Sequence, residues 1–335
     1  MDPLTQGLAG AALPQAAARR GAVAIAGLLG FLAGMTPDLD VLIRSSEDPL
    51  LFLEYHRQFT HSLVFIPVGG ALCALLLHPL LGRRRGLAPL TTWGFCTLGY
   101  ATHGLLDACT TYGTQLFWPF SDVRIAWNVV SIIDPLFSLP LVLAVALAAW
   151  TGRRRFAVLG LCWAIGYLGL GLAQQEAARA LGEELARARG HAPAEVVAKP
   201  SFANILVWKT VYRAEGRFFV DAVRTGWAPL KCPGESVAVL DRARDLPWLD
   251  PASQQAWDIE RFRWFSAGYI ALAAPGSNRV IDIRYSLVPN EINALWSLEL
   301  DPAKRPSAHA AYVVHRGDPQ AALPRLWRLL SAPDC

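Results

Sequence analysis

Charge is the scarcest feature of this sequence. Asp, Glu, Lys and Arg make up only 17% of its 335 residues, against about 25% in an average soluble domain. Hydrophobic residues make up 53%, and the mean hydropathy is +0.29. Other absences narrow the function. The six cysteines form no C-x-x-C pair and no zinc-finger spacing, so a thiolate zinc site is excluded. No G-x-S-x-G, Walker loop or G-x-G-x-x-G stands in a suitable context, which leaves serine hydrolase, NTPase and dinucleotide readings without support. The net charge is only +4 and the arginines sit in short clusters, so no nucleic-acid partner is expected. No basic segment precedes the first apolar stretch, so no cleavable signal peptide is expected either. There is no internal repeat and no low-complexity tract.

The shortage of charge is uneven. Residues 21–35, 63–81, 87–106, 132–150 and 156–173 are apolar runs, and residues 3–18 form a shorter one. About 20 apolar residues cross the hydrocarbon layer, within a range of about 17–25. The pattern predicts an α-helical integral membrane bundle of five or six helices. Arg19–Arg20, Arg83–Arg85 and Arg153–Arg155 close alternate runs. Cytoplasmic loops are enriched in Lys and Arg, so these clusters go inside. Residues 36–62, 107–131 and everything after 174 then go outside. Trp118, Trp127 and Trp150 fall near the expected interfaces, as an aromatic belt would.

After residue 173 the character changes. Residues 174–199 read as a solvated connecting helix. From 200 to 335, segments such as VYRAEGRFFVDAV and RVIDIRYSLV alternate apolar with polar residues. That alternation predicts a mostly antiparallel β domain with one wet face. Cys232 and Cys335 lie in it. Two free thiols are the default expectation, with a disulfide possible only outside the cytoplasm.

The chemistry concentrates around HRQFTHS, residues 56–62, directly before an apolar run. Imidazole is the commonest metal ligand among side chains, and ionisable groups at a membrane boundary are costly to hold there without a function. Asp38 and Asp40 in PDLD lie upstream. Alternate residues of an extended segment would point them opposite ways, one to a metal and one to water; the bland reading is a turn with Asp38 as a cap. His103 and Asp107 lie downstream, one helical turn apart; alone they could be a helix-end hydrogen bond. Arg57 matches phosphate in a bidentate way, or simply faces lipid headgroups. The topology set by arginines alone brings Asp38, Asp40, His56, His61, His103, Asp107 and Asp134 to one outer face. His78, His191, His309 and His315 read as structural or surface residues. Imidazoles with carboxylates suit one or two divalent ions, zinc first, with manganese or iron admitted by the carboxylates.

At these residues the sequence resembles the YdjM family of membrane-bound, predicted metal-dependent hydrolases. The matching segments are DPLTQGLAGAAL, GMTPDLD, EYHRQFTHS and GYATHGLLDACTTYGTQLFWPFSD, spread over about residues 1–150. The resemblance implies an inner-membrane, phospholipase-like hydrolase with Asp38, Asp40, His56, His61, His103 and Asp107 at its metal site. Many members have Thr-His near the start where this chain has Thr5-Gln6, so the site either lacks one ligand or uses Gln6 on substrate. Asp40, Arg57 and Gln6 are the expected catalytic residues. The expected activity is hydrolysis of a phosphoester or ester of a lipid-like substrate at the outer membrane face. Two rivals remain: a metal-independent lipid phosphatase with a histidine nucleophile, and a non-enzymatic membrane protein with a structural metal and a partner-binding external domain. For the phosphatase, no P-S-G-H segment accompanies His103-x-x-x-Asp107. Oligomeric state and substrate are not legible.

Overall fold

A computed structural model describes all 335 residues, and the chain divides into two compact units. The first holds residues 1–42, 55–173 and 202–204. It is built from α1 (Pro3–Ala17), α2 (Val23–Met35), α4 (Ile66–Leu77), α5 (Pro89–Ala108), α6 (Pro135–Thr151) and the first half of α7 (Arg154–Ala188). A short α3 (Leu51–Tyr55) straddles the boundary. Asp2 starts α1 by accepting from the Thr5 amide, and Asp134 starts α6 by accepting from the amides of Leu136 and Phe137. α5 packs against α1, α2 and α4. A β-carbon on Gly30 would lie 2.2 Å from the Gly10 carbonyl oxygen, and one on Gly99 would lie 2.4 Å from that of Gly30. Glycine is therefore what lets α1, α2 and α5 cross so closely, as small residues do between membrane helices. Val23, Leu29, Cys73, Phe95, Cys96 and Tyr100 fill the core beside that crossing.

The outer faces of this unit are apolar. Leu75 is 74% exposed and Ile165 71%. Water would penalise such a surface, and lipid does not. Three segments are long and apolar enough to cross a membrane: Val23–Leu42, Ile66–Arg85 and Arg154–Ala188. Pro135–Thr151 is apolar but shorter. At 1.5 Å per residue, the 35 residues of α7 extend for about 52 Å, well beyond a hydrocarbon core of about 30 Å. The last apolar run and the polar stretch after it are thus one unbroken helix. No proline interrupts it, and its polar half is laced by Arg179 with Glu176 and Glu183.

The second unit holds residues 43–54, 174–201 and 205–335. Its strands are β1 (Val196–Pro200), β2 (Val207–Ala214), β3 (Arg217–Arg224), β4 (Leu230–Cys232), β5 (Ser236–Ala238), β6 (Ile270–Leu272), β7 (Arg279–Asp282), β8 (Trp296–Glu299) and β9 (Ala311–Val314), with helices α8 (Arg242–Asp245), α9 (Gln254–Phe265) and α10 (Pro319–Ser331). Every pairing is antiparallel. One sheet runs β1-β2-β3-β4 with β5 also on β3; the other runs β6-β7-β8-β9. Residues 43–54, which lie in sequence between membrane elements, belong here. Arg261 of α9 holds Asp48 at 2.7 Å and also pairs with Glu54 and Asp258. Cys232 and Cys335 are joined by a disulfide, which corrects the expectation of two free thiols. His191 and His315 are not idle surface residues either. His191 Nδ1 lies 3.0 Å from the Tyr212 hydroxyl, and His315 Nε2 lies 2.8 Å from Ser297 Oγ. His309 Nδ1 donates to Asp258.

Lys199 and Lys209 face each other directly across β1 and β2 and are buried. Burial lowers both lysines to about 7, helped at Lys199 by the nearby Arg284 and Lys209 and opposed by Asp282. An unfolded lysine keeps its proton to about 10.4. Between pH 7 and 10 the unfolded chain therefore binds more protons, and stability rises with pH. Each pH unit over which one lysine is protonated only when unfolded adds about 1.4 kcal/mol. Thermal melts of the full chain should move to higher temperature from pH 7 to pH 9.5, and Lys209→Met should flatten that slope.

Candidate metal centre

Three stretches of the first unit supply the site. The turn after α2 is a 3-10 helix, Thr36–Leu42, that continues the helix axis. Asp38 and Asp40 are therefore carried on a tight helical turn rather than on the extended segment their alternation suggested. Phe59–His61 forms a second 3-10 turn and sets His61 against α5. A β-carbon on Gly104 would lie 2.2 Å from the His61 carbonyl oxygen, so only glycine lets this turn sit so close to His103. α5 presents His103 and Asp107 on one face.

Ligand atoms of Asp38, His61, His103 and Asp107 all lie within 4.8 Å of one another, and those of Asp38, Asp40 and His56 form an adjoining group of the same size. His61, His103 and Asp107 are buried, while the side chains of Asp38 and His56 are 24% and 32% exposed. The cluster thus reaches solvent on the Asp38–His56 side.

The hydrogen bonds fix how the imidazoles are presented. His103 Nδ1 lies 2.6 Å from the Gly34 carbonyl oxygen. A carbonyl only accepts, so Nδ1 carries the proton and Nε2 presents a lone pair inward. His61 Nδ1 lies 3.2 Å from Asp40 Oδ2 and 2.9 Å from Thr60 Oγ1, which commits that nitrogen in the same way. The two Nε2 atoms meet 3.0 Å apart. Asp38 Oδ1 lies 3.5 Å from His61 Nε2 and 3.4 Å from His103 Nε2, and Asp107 Oδ2 lies 3.3 Å from His61 Nε2. Burial alone would lower the pKa of His61. The carboxylates of Asp107, Asp38 and Asp40 beside it outweigh burial and raise it to about 10. The point between the ring nitrogens thus attracts positive charge.

The oxygens agree with that. Asp107 Oδ1 accepts from Gln6 Nε2 at 2.8 Å and from the Met1 amino group. Arg57 Nε stands 3.1 Å from Asp107 Oδ2, yet Oδ2 is buried without a hydrogen-bond partner. Gln6 Oε1 is a second buried oxygen of that kind. A buried polar atom left unpaired is costly, and a cation satisfies it. Two imidazoles and two carboxylates form a donor set of the kind that divalent metals take. The four residues can hold a metal ion.

The remaining residues take supporting places. Both oxygens of Asp40 are engaged: Oδ1 by His56 Nδ1 at 2.6 Å, Oδ2 by the Arg57 amide at 3.0 Å and Thr60 Oγ1 at 2.7 Å. Arg57 adopts a left-handed backbone, φ 67°, a conformation uncommon in non-glycine residues and concentrated at functional sites. Its guanidinium is buried, donates to Thr110 Oγ1 at 3.2 Å and lies 5.4 Å from the Tyr112 ring centre. Asp134 is occupied elsewhere, capping α6 and accepting from Tyr167 at 2.8 Å. His78 bonds Thr92 near the far end of α4. Thr60, Thr110 and the Gly34 carbonyl were not singled out from sequence. The two threonines stand inside the matching segments, but a backbone carbonyl carries no residue-type signal.

The family described as YdjM inner membrane protein matches residues 1–178 of this chain, and all of these residues fall within it. The chain belongs to the YdjM family. Among curated proteins, the inner membrane protein YbcI of Escherichia coli (strain K12) is 38% identical over 108 residues, which are 31% of this chain and 60% of that protein. The uncharacterized protein YfhP of Bacillus subtilis (strain 168) is 26% identical over 127 residues, 38% of each chain. The chain thus spans less than two thirds of the length of these curated relatives. No solved structure matches it.

Proposed function

We propose that this YdjM-family chain is a multi-pass inner-membrane hydrolase in which Asp38, His61, His103 and Asp107 hold a divalent metal, zinc first and manganese or iron as alternatives. The proposed substrate is a phosphoester or ester of a lipid at the outer membrane face. One observation carries the reading: two imidazoles whose outer nitrogens are already committed turn their Nε2 atoms on one point, between the carboxylates of Asp38 and Asp107. The chemistry such a metal would supply, when bound, is a water of pKa lowered towards about 7, a nucleophile for hydrolysis near neutral pH.

The chain's own groups then divide the work. Gly34 fixes the ring of His103, and Asp40 with Thr60 fixes that of His61; such outer partners orient a ligand and raise its basicity. The part-exposed side chains of Asp38 and His56 mark where a substrate would enter, and with Asp40 they form a second group that could hold an ion. Arg57 is the cation beside Asp107 where negative charge would develop on a substrate. In this reading residues 200–335 lie outside the cytoplasm; the arginine clusters support that side, and so does the Cys232–Cys335 disulfide, since disulfides persist in oxidising compartments.

The test is turnover by the purified full chain on mixed micelles of phospholipid and on chromogenic phosphoesters and esters. Hydrolysis that stops with a chelator and returns with zinc or manganese supports the reading. A metal-loaded chain inert on the whole panel, or turnover indifferent to the chelator, contradicts it. Arg57→Ala should keep the metal, because a competing cation is removed from Asp107. It should raise KM by about tenfold or more, the loss of one hydrogen bond to a charged group.

A further inference from the structure

At the ends of the spans that carry the arginines, two turns far apart in sequence close around one cleft. Arg19 and Arg20, in the turn between α1 and α2, and Arg153, Arg154 and Arg155, between α6 and α7, line a space of about 460 Å³. No Asp or Glu occurs between residues 3 and 37, or between residues 135 and 175. The five guanidiniums therefore have no carboxylate among the segments that carry them. Val23, the first residue of α2, also lines the cleft. That helix start has no side-chain cap and no acidic residue in its first turn, so its amide groups add to the positive end.

The inside bias of arginine explains cations in each loop taken alone. It does not explain why two loops about 130 residues apart share a cleft, nor why α2 begins there without an acidic cap. All five arginines are exposed at the cleft, where solvent screens their mutual repulsion and an anion between them would lower it further. Guanidinium matches phosphate geometry in a bidentate way, and basic pockets between membrane helices at that face bind anionic headgroups. Apolar helix faces run away from the cleft, including Leu159 of α7, 61% exposed, and Leu143 of α6, 61% exposed. They offer acyl chains a surface beside the headgroup.

We propose that this cleft is a binding site for the phosphate of an anionic phospholipid. It is separate from the metal centre and does not depend on its chemistry.

The experiment uses the full chain in nanodiscs of phosphatidylcholine, with and without phosphatidylglycerol, read by thermal melting and by native mass spectrometry of retained lipid. Phosphatidylglycerol should raise the melting midpoint and remain bound, and inorganic phosphate should do neither. A triple variant, Arg19→Gln, Arg153→Gln, Arg154→Gln, should bind phosphatidylglycerol about a hundredfold more weakly, at about 1 kcal/mol per arginine. Arg83→Gln, Arg84→Gln, Arg85→Gln removes as much charge from another turn and should bind normally. Equal melting and retention with and without phosphatidylglycerol in the unmutated chain would overturn the proposal, whatever the variants do. Equal loss in both triple variants reduces the effect to bulk charge and also overturns it. An equal shift with inorganic phosphate makes the site one for free phosphate and overturns the lipid assignment.

Discussion

A His61→Ala chain, purified in parallel with the unmutated protein, is expected to carry almost no metal. His61 contributes the Nε2 atom that faces His103 Nε2 at 3.0 Å and that both Asp38 and Asp107 approach. Alanine removes the central donor, and at a position this buried water is a poor substitute. Changing an outer partner of a metal ligand costs about 10- to 100-fold in affinity, so deletion of the ligand itself should cost more than about a hundredfold. Asp40→Asn is the informative comparison. It leaves four ligands in place and loosens the hold on the His61 ring, so its loss should fall within that 10- to 100-fold range. Metal content by elemental analysis and affinity by competition with a chelating dye check both. Equal metal in His61→Ala and unmutated protein would remove His61 from the site.

Reduction of the Cys232–Cys335 disulfide is expected to have the largest effect on stability. It closes a loop with a sequence separation of 103 residues, for which chain entropy gives about 4.7 kcal/mol at 25 °C. Arg224 donates to the carbonyls of Leu329, Leu330 and Ala332 just before it, so α10 has a second anchor and should not detach completely. Denaturant melts of the full chain should show a lower midpoint with reductant or in Cys232→Ser, Cys335→Ser. The double variant should no longer respond to reductant. A variant as stable as the unmutated protein would show that the pairing adds nothing.

The broad division of the fold was legible because it follows from two periods. Long apolar runs and strict alternation are signals that tertiary context rarely reverses, and helices then antiparallel sheets are what the structure contains. The number of spans was not legible in the same way. α5 mixes its apolar run with Thr92, Thr97, Thr102 and His103, and α1 carries Gln6 and Gln15; Thr92, His103, Gln6 and Gln15 sit on the faces buried inside the unit. An average over a run cannot separate a buried face from an outer one. The disulfide was hidden for another reason: connectivity depends on distance in the fold, which spacing does not encode.

At the site, residue type carried much of the signal and backbone very little. His56, His61, His103 and the three aspartates stood out because they are expensive at a membrane boundary. The role of Asp134 could have been read more closely, since Asp followed by Pro135 is a helix-start pattern. Residues 43–54 lie in sequence between elements of the first unit, yet they belong to the second, where Arg261 gathers Asp48 and Glu54. The carbonyl of Gly34 and the glycine at 104 were beyond reach, since each acts through a contact with a distant residue.

The central claim is that two histidines and two aspartates share one metal. X-ray absorption at the edge of the metal that copurifies with the full chain tests it most directly. The account predicts two imidazole nitrogens at about 2.0–2.1 Å and carboxylate oxygen at about 2.0–2.2 Å, with the imidazole signal halved or the metal lost in His103→Ala. A ligand shell of oxygen alone, or of sulfur at about 2.3 Å, would contradict it.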